Sequence, residues 1–282
     1  MIGMKIAVAT SMMNSVRWLD DAFQTVRLDC GSMELGRMNR IIDYDEDLAY
    51  VTVEPGVTPA QLVAFLREKG SRLWIDATGS SPHSSLIGNT VERGFVHTPY
   101  GDHFANVCGL EVVLPNGECV ETGFARFANA RTAATYKWGV GPSIDGLFTQ
   151  SNFGVVTRMT VWLMPAPEYF QAYFFRCDDP EGIASLVDAM RPLRLNGTVR
   201  SAVHIGNHYK VLSSIQRSPW DETGGETPLR PEQMLAFRQK YNFGVWNGSG
   251  GLYGTRRQVV EARRLIKRGL QGKVSKLQFL DQ

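Results

Sequence analysis

The sequence predicts an α+β protein in two parts, residues 1–165 as a first domain and 166–282 as a second, divided at the Pro165-Ala166-Pro167 run. Three observations carry this expectation. Short β-branched runs such as Tyr50-Val51-Thr52-Val53 sit beside well-capped helical stretches. A Pro115-Asn116-Gly117 turn joins two apolar runs into a hairpin. Beyond the prolines, helix, loop and strand patterns keep alternating. With 282 residues, 43% hydrophobic and 21% charged, the chain can bury one large core or two modest ones.

In chain order, the strand at 50–53 runs into the turn Glu54-Pro55-Gly56. A helix follows, with Thr58 as N-cap, Pro59 at the first helical position and Gln61 completing a capping box. Leu62, Val63, Phe65 and Leu66 form its apolar side, and Gly70 stops it. Leu86-Ile87-Gly88-Asn89 is apolar and then turns; residues 90–93 form one helical turn at most, closed by Gly94. The hairpin occupies 109–123 and a further strand 155–164. In the second part, 169–176 is an aromatic-rich strand. Asp179-Pro180 opens a helix to about residue 191, and Arg230-Pro231 precedes another to about 241. Between them, 213–228 is polar and turn-rich and reads as a surface loop. The last helix, 256–270, sets Val259, Val260, Leu265 and Ile266 against six basic residues, a core-packed helix with a solvated basic face.

Composition narrows the function classes. A formal net charge of +2, with basic residues spread along the chain, argues against nucleic acid or an anionic membrane as partner. Cysteines at 30, 108, 119 and 177 have no CxxC spacing and read as free thiols in a reducing compartment. No apolar run reaches about 18 residues, and the N-terminal stretch lacks a long apolar region with a cleavage site, so a cytoplasmic location is expected. Neither the five histidines nor the cysteines cluster with metal spacing, so no metal is expected. GxSxG, P-loop and strand-borne GxGxxG motifs do not occur, which leaves hydrolase, NTPase and Rossmann readings without support. Asp102 and His103 are read as turn-makers and hydrogen-bonders, His204 and His208 as satisfied surface or core histidines, and His83 takes no role.

The segment from Thr78 to His103 carries the chemistry. Thr78-Gly79-Ser80-Ser81-Pro82-His83-Ser84-Ser85 consists of small or polar residues after the apolar Leu73-Trp74-Ile75, and small side chains let a ligand approach the backbone. A second rigid turn, Thr98-Pro99-Tyr100-Gly101-Asp102-His103, follows closely. Two polar loops pinned by Gly and Pro suit a wrapped ligand; the residues alone leave a solvated surface loop as the alternative.

The runs GNTVERGFVHTPYGDHF, CGLEVVLPNGE and IDGLFTQSNFGVVTRMTVWLMP resemble the vanillyl-alcohol oxidase and 4-cresol dehydrogenase family, flavoproteins with the p-cresol methylhydroxylase (PCMH) type of FAD-binding fold. RMNRIIDYDEDLAYVTVEPGVT upstream, and RPLRLNG and WNGSGGLYG downstream, extend the likeness over about residues 35 to 255. The resemblance implies an FAD-binding domain followed by part of a substrate domain. It implies that Thr78, Gly79, Ser80, Ser81, Ser84 and Ser85 lie along the isoalloxazine and ribityl chain, and that Gly88, Asn89, Glu92 and Gly94 form the next turn towards the cofactor. His97 takes the place of a ring facing the flavin, and Gly154, Val155 and Val156 match a strand closing on the adenine or pyrophosphate side, with any contact of the valines made by backbone.

Three departures from the family pattern stand out. The glycine-rich loop that cradles the pyrophosphate is not evident in the residues before 35. The family's phenol-binding Tyr and Arg, and its covalent attachment residue, find no counterpart before Gln282, so no catalytic residue is assigned. Thr78-Gly79-Ser80 stands where the best-known phenol oxidases carry an aspartate near flavin N5. The implied function is oxidation of a small aromatic or alcohol substrate by hydride transfer to flavin, with oxygen or an electron-transfer protein as acceptor and a homodimer as assembly. The alternative is a flavoprotein portion that binds flavin without turnover, or one half of a split assembly.

Overall fold

The structure, a computed structural model, describes residues 5–7, 30–32, 34–77, 79, 81–217, 220–225 and 227–281. It divides into two compact units, Met1–Val96 with Tyr100–Ala166, and His97–Pro99 with Pro167–Gln282.

In the first unit β1 (Lys5–Ala7) pairs in parallel with β2 (Cys30–Ser32). The segments β3 (Ile41–Asp45), β4 (Tyr50–Val53), β5 (Leu73–Trp74), β6 (Val107–Val113), β7 (Cys119–Glu121), β8 (Val155–Trp162) and β9 (Met164–Pro165) follow. Five of them form an antiparallel sheet in the order β3-β4-β8-β6-β7, and β5 pairs with β9. Val51, Val53, Leu110, Val112 and Met159 build the core from the strands. Helix α1 (Pro59–Glu68) adds Leu62 and Leu66. The Thr58 hydroxyl accepts from Gln61 N–H at 3.2 Å, as an N-cap should. The reciprocal half of the expected capping box is not made, because the Gln61 amide donates to Asn39 C=O at 2.7 Å and ties the helix to the preceding chain.

A second helix, α2 (Leu86–Val91), stands where the sequence reading had an apolar run that turns. Ser85 caps it, and Ile87 and Val91 are buried in the core, so burial of one face supports six residues that isolated propensity would not.

In the second unit the elements are β10 (Tyr169–Cys177), α3 (Ile183–Leu195), β11 (His204–Asn207), α4 (His208–Ile215), α5 (Trp220–Thr223), α6 (Pro231–Tyr241), β12 (Trp246–Gly254), α7 (Arg256–Leu270) and β13 (Lys276–Asp281). The sheet order is β11-β12-β10-β13, every neighbouring pair antiparallel. Tyr173, Phe175 and Cys177 alternate onto one face, where they pack with Leu186 and Met190 of α3 and Ile266 and Leu270 of α7. Phe174 and Arg176 alternate onto the other face.

Several expectations change here. The helix opened by Asp179-Pro180 starts as a 3-10 turn at Pro180–Gly182 and continues through Pro192 to Leu195, with Leu193 buried. The expected loop at 213–228 begins inside α4, which Asn207 caps by accepting from Lys210 N–H at 3.0 Å. Leu212 of that helix packs with Met234, Phe237 and Phe243 in a small separate core. On α7 the buried residues are Val259, Ala262, Ile266 and Leu270, while Val260 is 56% exposed. Among the described residues no helix is long and apolar enough to cross a membrane.

Candidate functional site

Most of the first unit's sequence candidates lie in the loop leading into α2 and in α2 itself. Thr78 and Ser80 lie outside the described residues, as does most of the chain before residue 34. Gly79 is exposed, and a Cβ added there would meet nothing within 4 Å. The Ser81 hydroxyl accepts from His83 N–H at 3.1 Å, and the Ser81 carbonyl takes both the N–H and the hydroxyl of Ser84. The Ser85 hydroxyl accepts from Gly88 N–H at 2.8 Å and donates to Pro55 C=O at 2.5 Å. The hydroxyls of Ser84 and Ser85 are therefore engaged in shaping the loop.

Behind the loop lies a buried polar cluster that sequence reasoning did not assemble. His103 Nδ1–H donates to Asn89 Oδ1 at 2.7 Å. Its Nε2 stands 3.5 Å from Asp76 Oδ2, an ion-pair separation when the ring is protonated. The two side chains are only 9% and 6% exposed, and neither of those facing atoms has a hydrogen-bond partner among the described residues. Gly94 completes the cluster. A Cβ there would sit 1.9 Å from Asn89 Oδ1, so this turn accepts no side chain. Gly94 N–H donates to Asn89 C=O at 2.8 Å, and its own carbonyl accepts from His103 N–H at 3.3 Å. A cavity of about 40 Å³ bounded by Asp76, Asn89, Tyr100, His103 and Trp162 adjoins them, enough for about one water. The only sequence signal was an aspartate directly after an apolar strand; His103 read as a turn residue because its burial depends on distant chain.

The remaining sequence candidates scatter. Glu92 is exposed at the end of α2, and its carbonyl accepts from the Gln150 amide at 3.3 Å. Gly154 is demanded by packing, since a Cβ would lie 2.5 Å from Val112 Cγ1. Val155 and Val156 are buried and pair with Val113 and Val112. His97 belongs to the second unit, where its ring lies 3.6 Å from that of His204.

The second unit carries a cleft of about 810 Å³ on the open face of its sheet. Strand register places His204, Ser249, Phe174 and Gln278 in one row across the four strands, and Asn247, Arg176 and Lys276 in a neighbouring row. Lys210 of α4 lines the same cleft. Arg176 is held by Asn242 Oδ1 at 2.6 Å, Ser275 Oγ at 3.2 Å and Asp178 Oδ2 at 3.3 Å. Burial holds the His204 imidazole below its usual pKa, and the charges of His97 and Lys210 add to that. His208 is lowered too, by burial and then Arg238; its buried Nδ1 has no hydrogen-bond partner among the described residues. No group of three or more His, Cys, Asp or Glu side chains among the described residues could hold a metal ion.

Comparison with known proteins places this geometry. Residues 29–123 match the family described as "FAD binding domain". The fold superimposes on p-cresol methylhydroxylase with substrate bound at a TM-score of 0.84, with 33% identity over 89% of this chain and 48% of that one. It matches 4-ethylphenol oxidase from Gulosibacter chungangensis at 0.80, with 33% identity and the same coverage. The fold is therefore of the mixed α+β, PCMH-type FAD-binding class.

Among curated proteins, the chain is 46% identical to 1'-carboxy-chondrochloren decarboxylase of Chondromyces crocatus, over 89% of this chain and 46% of that protein. It is 37% identical to the 4-cresol dehydrogenase [hydroxylating] flavoprotein subunit of Pseudomonas putida, over 80% of this chain and 44% of that protein. The chain is similar to members of the PCMH-type FAD oxidoreductase family and spans about half the length of these relatives.

Proposed function

We propose that residues 1–165 hold FAD, that 166–282 form part of a substrate domain, and that the protein oxidises a small aromatic or alcohol substrate. The observation that carries the reading is the loop at 79–94. The hydroxyls of Ser81, Ser84 and Ser85 are occupied internally, while Gly79 leaves open space over the backbone, so a flat ring or a ribityl chain can come within hydrogen-bonding reach of main-chain groups. The residues present fit the cofactor in that respect. Thr78 through Ser81, the Gly88–Asn89 and Glu92–Gly94 turn, and the backbone at Gly154–Val156 are the proposed contacts.

Flavin held there would supply a two-electron, hydride-accepting centre. The protein's own part is to fix and orient. Ser85 locks the loop onto Pro55, and the Asp76–His103–Asn89 cluster pins the Gly94 turn from behind. Oxygen or an electron-transfer protein is the proposed acceptor; the relative that is a flavoprotein subunit favours the latter. The proposed assembly is a homodimer.

Reconstituting the chain with FAD and recording its visible spectrum tests the reading. A bound-flavin spectrum is expected, and failure to take up FAD overturns it for this polypeptide. The competing reading, flavin binding without turnover or one half of a split assembly, draws on the half-length span. Flavin that binds but is never reduced by any phenol or alcohol offered would favour it.

A further inference from the structure

The cleft on the open sheet face has a charge pattern that a neutral substrate does not call for. Arg176 and Lys276 stand directly opposite each other on antiparallel strands, two like charges at the closest cross-strand spacing. Asp178 offsets Arg176 at 3.3 Å, but the same carboxylate is shared with Arg238 at 2.9 Å, which leaves that group of three net positive. Lys276 and Lys210, both exposed, have no carboxylate within 4.0 Å among the described residues. Among the described residues, none lining the cleft is acidic. On the same face Phe174, 44% exposed, offers an aromatic ring in the row next to Arg176 and Lys276.

We propose that this cleft binds an aromatic carboxylate, its ring on Phe174 and its acid group at the Lys276–Arg176 corner, with Lys210 adding attraction from the wall. An anion there relieves the Arg176–Lys276 repulsion, and the stacked ring contributes apolar burial that a bare inorganic anion lacks. That the acid is the molecule oxidised rests on the flavoenzyme reading; that it binds does not.

Calorimetric titration of the full chain with 4-hydroxybenzoate and with 4-methylphenol tests the proposal. The acid is expected to bind about 10-fold more tightly than the neutral phenol, the effect of one charge-assisted contact, and to weaken as salt is raised. Lys276→Gln is expected to erase the preference, Lys276→Arg to keep it, and Lys210→Gln to reduce it by about 3-fold. Equal binding of acid and phenol, no binding of the acid, or an unchanged preference in a folded Lys276→Gln chain would each overturn the proposal. Displacement of the acid by saturating FAD would do so as well, because the cleft would then belong to the cofactor. FAD uptake is read separately from the visible spectrum. Loss of uptake with acid binding intact overturns only the flavin reading; the reverse result overturns only this one.

Discussion

A single hydroxyl at Ser85 accepts from Gly88 N–H and donates to Pro55 C=O, so it starts a helix and fastens the helix to a turn thirty residues earlier. Ser85→Ala removes both bonds and leaves a helix N–H without its cap. A loss of about 1–2 kcal/mol is expected, read from urea unfolding. Gly94→Ala acts by overlap instead, because its new methyl would displace the Asn89 side chain from His103. We expect it to cost about 1–3 kcal/mol and to weaken FAD uptake, measured by denaturation and flavin titration. Thiol chemistry gives an independent check. Burial pushes the Cys108 thiol up to about 11, and Cys108 and Cys177 are buried while Cys119 is exposed. Alkylation of the folded chain followed by peptide mass mapping should label Cys119 well before Cys108 or Cys177. At this scale the sequence marked a loop of small polar residues, and the structure adds the internal bonds of Ser81, Ser84 and Ser85 that shape it. Which hydrogen bonds a hydroxyl makes depends on chain that is distant in sequence.

Elements differed in how readable they were. Helix α7 announces itself through Thr255 and Gln258. The Thr255 hydroxyl accepts from Gln258 N–H at 3.3 Å, and the Gln258 side chain accepts from Thr255 N–H at 2.8 Å. Strand β12 gives no such signal, since WNGSGGLYG has the composition of a loop. It is a strand because β10 beside it carries large aromatics that need the glycine positions. A Cβ on Gly248 would lie 2.0 Å from the Phe175 ring, and one on Gly250 would lie 2.4 Å from the Tyr173 hydroxyl. The rings fill the space that the glycines leave, which restores the packing that a glycine strand lacks. Gly248→Ala should therefore destabilise the second unit by about 1–3 kcal/mol, opposite in sign to the usual gain from replacing a strand glycine. Thermal unfolding of the variant decides it.

For the whole molecule, the two units should respond differently to acid. In the second unit His204 and His208 titrate below their ordinary 6.5, so the unfolded chain takes up their protons first. Stability from keeping them neutral is complete above that value and falls as pH drops through the lowered folded values. In the first unit Glu54 is held low by Arg40, and Glu46 is held at about 2 by Tyr44 and the Arg72 N–H. Depressed carboxylates keep their contribution above the ordinary carboxylate value and lose it only as pH falls through the folded one. Hydrogen exchange followed from about pH 8 to about pH 5, corrected for intrinsic rates, should rise in β11 and α4 before it rises in β3 and β4. Simultaneous loss in both units would contradict this order.

Local chemistry was enough to place α1, the hairpin of β6 and β7, β10, α6 and α7, because caps, turns and alternation act within a few residues. A motif-level likeness was enough to identify a PCMH-type FAD fold, now supported by the comparisons. Only the tertiary structure decided that α2 is a helix, that a glycine-rich run is a central strand, and that Asp76, Asn89, Gly94 and His103 meet. It also brought Phe174, Arg176 and Lys276 onto one sheet face, from strands about a hundred residues apart in sequence. Each of these outcomes depends on burial or register supplied by distant chain, and neither leaves a trace in local composition. The segment from Thr78 to His103 announced small, polar, turn-rich chain in its residues; how its described part is held was settled by what packs behind it.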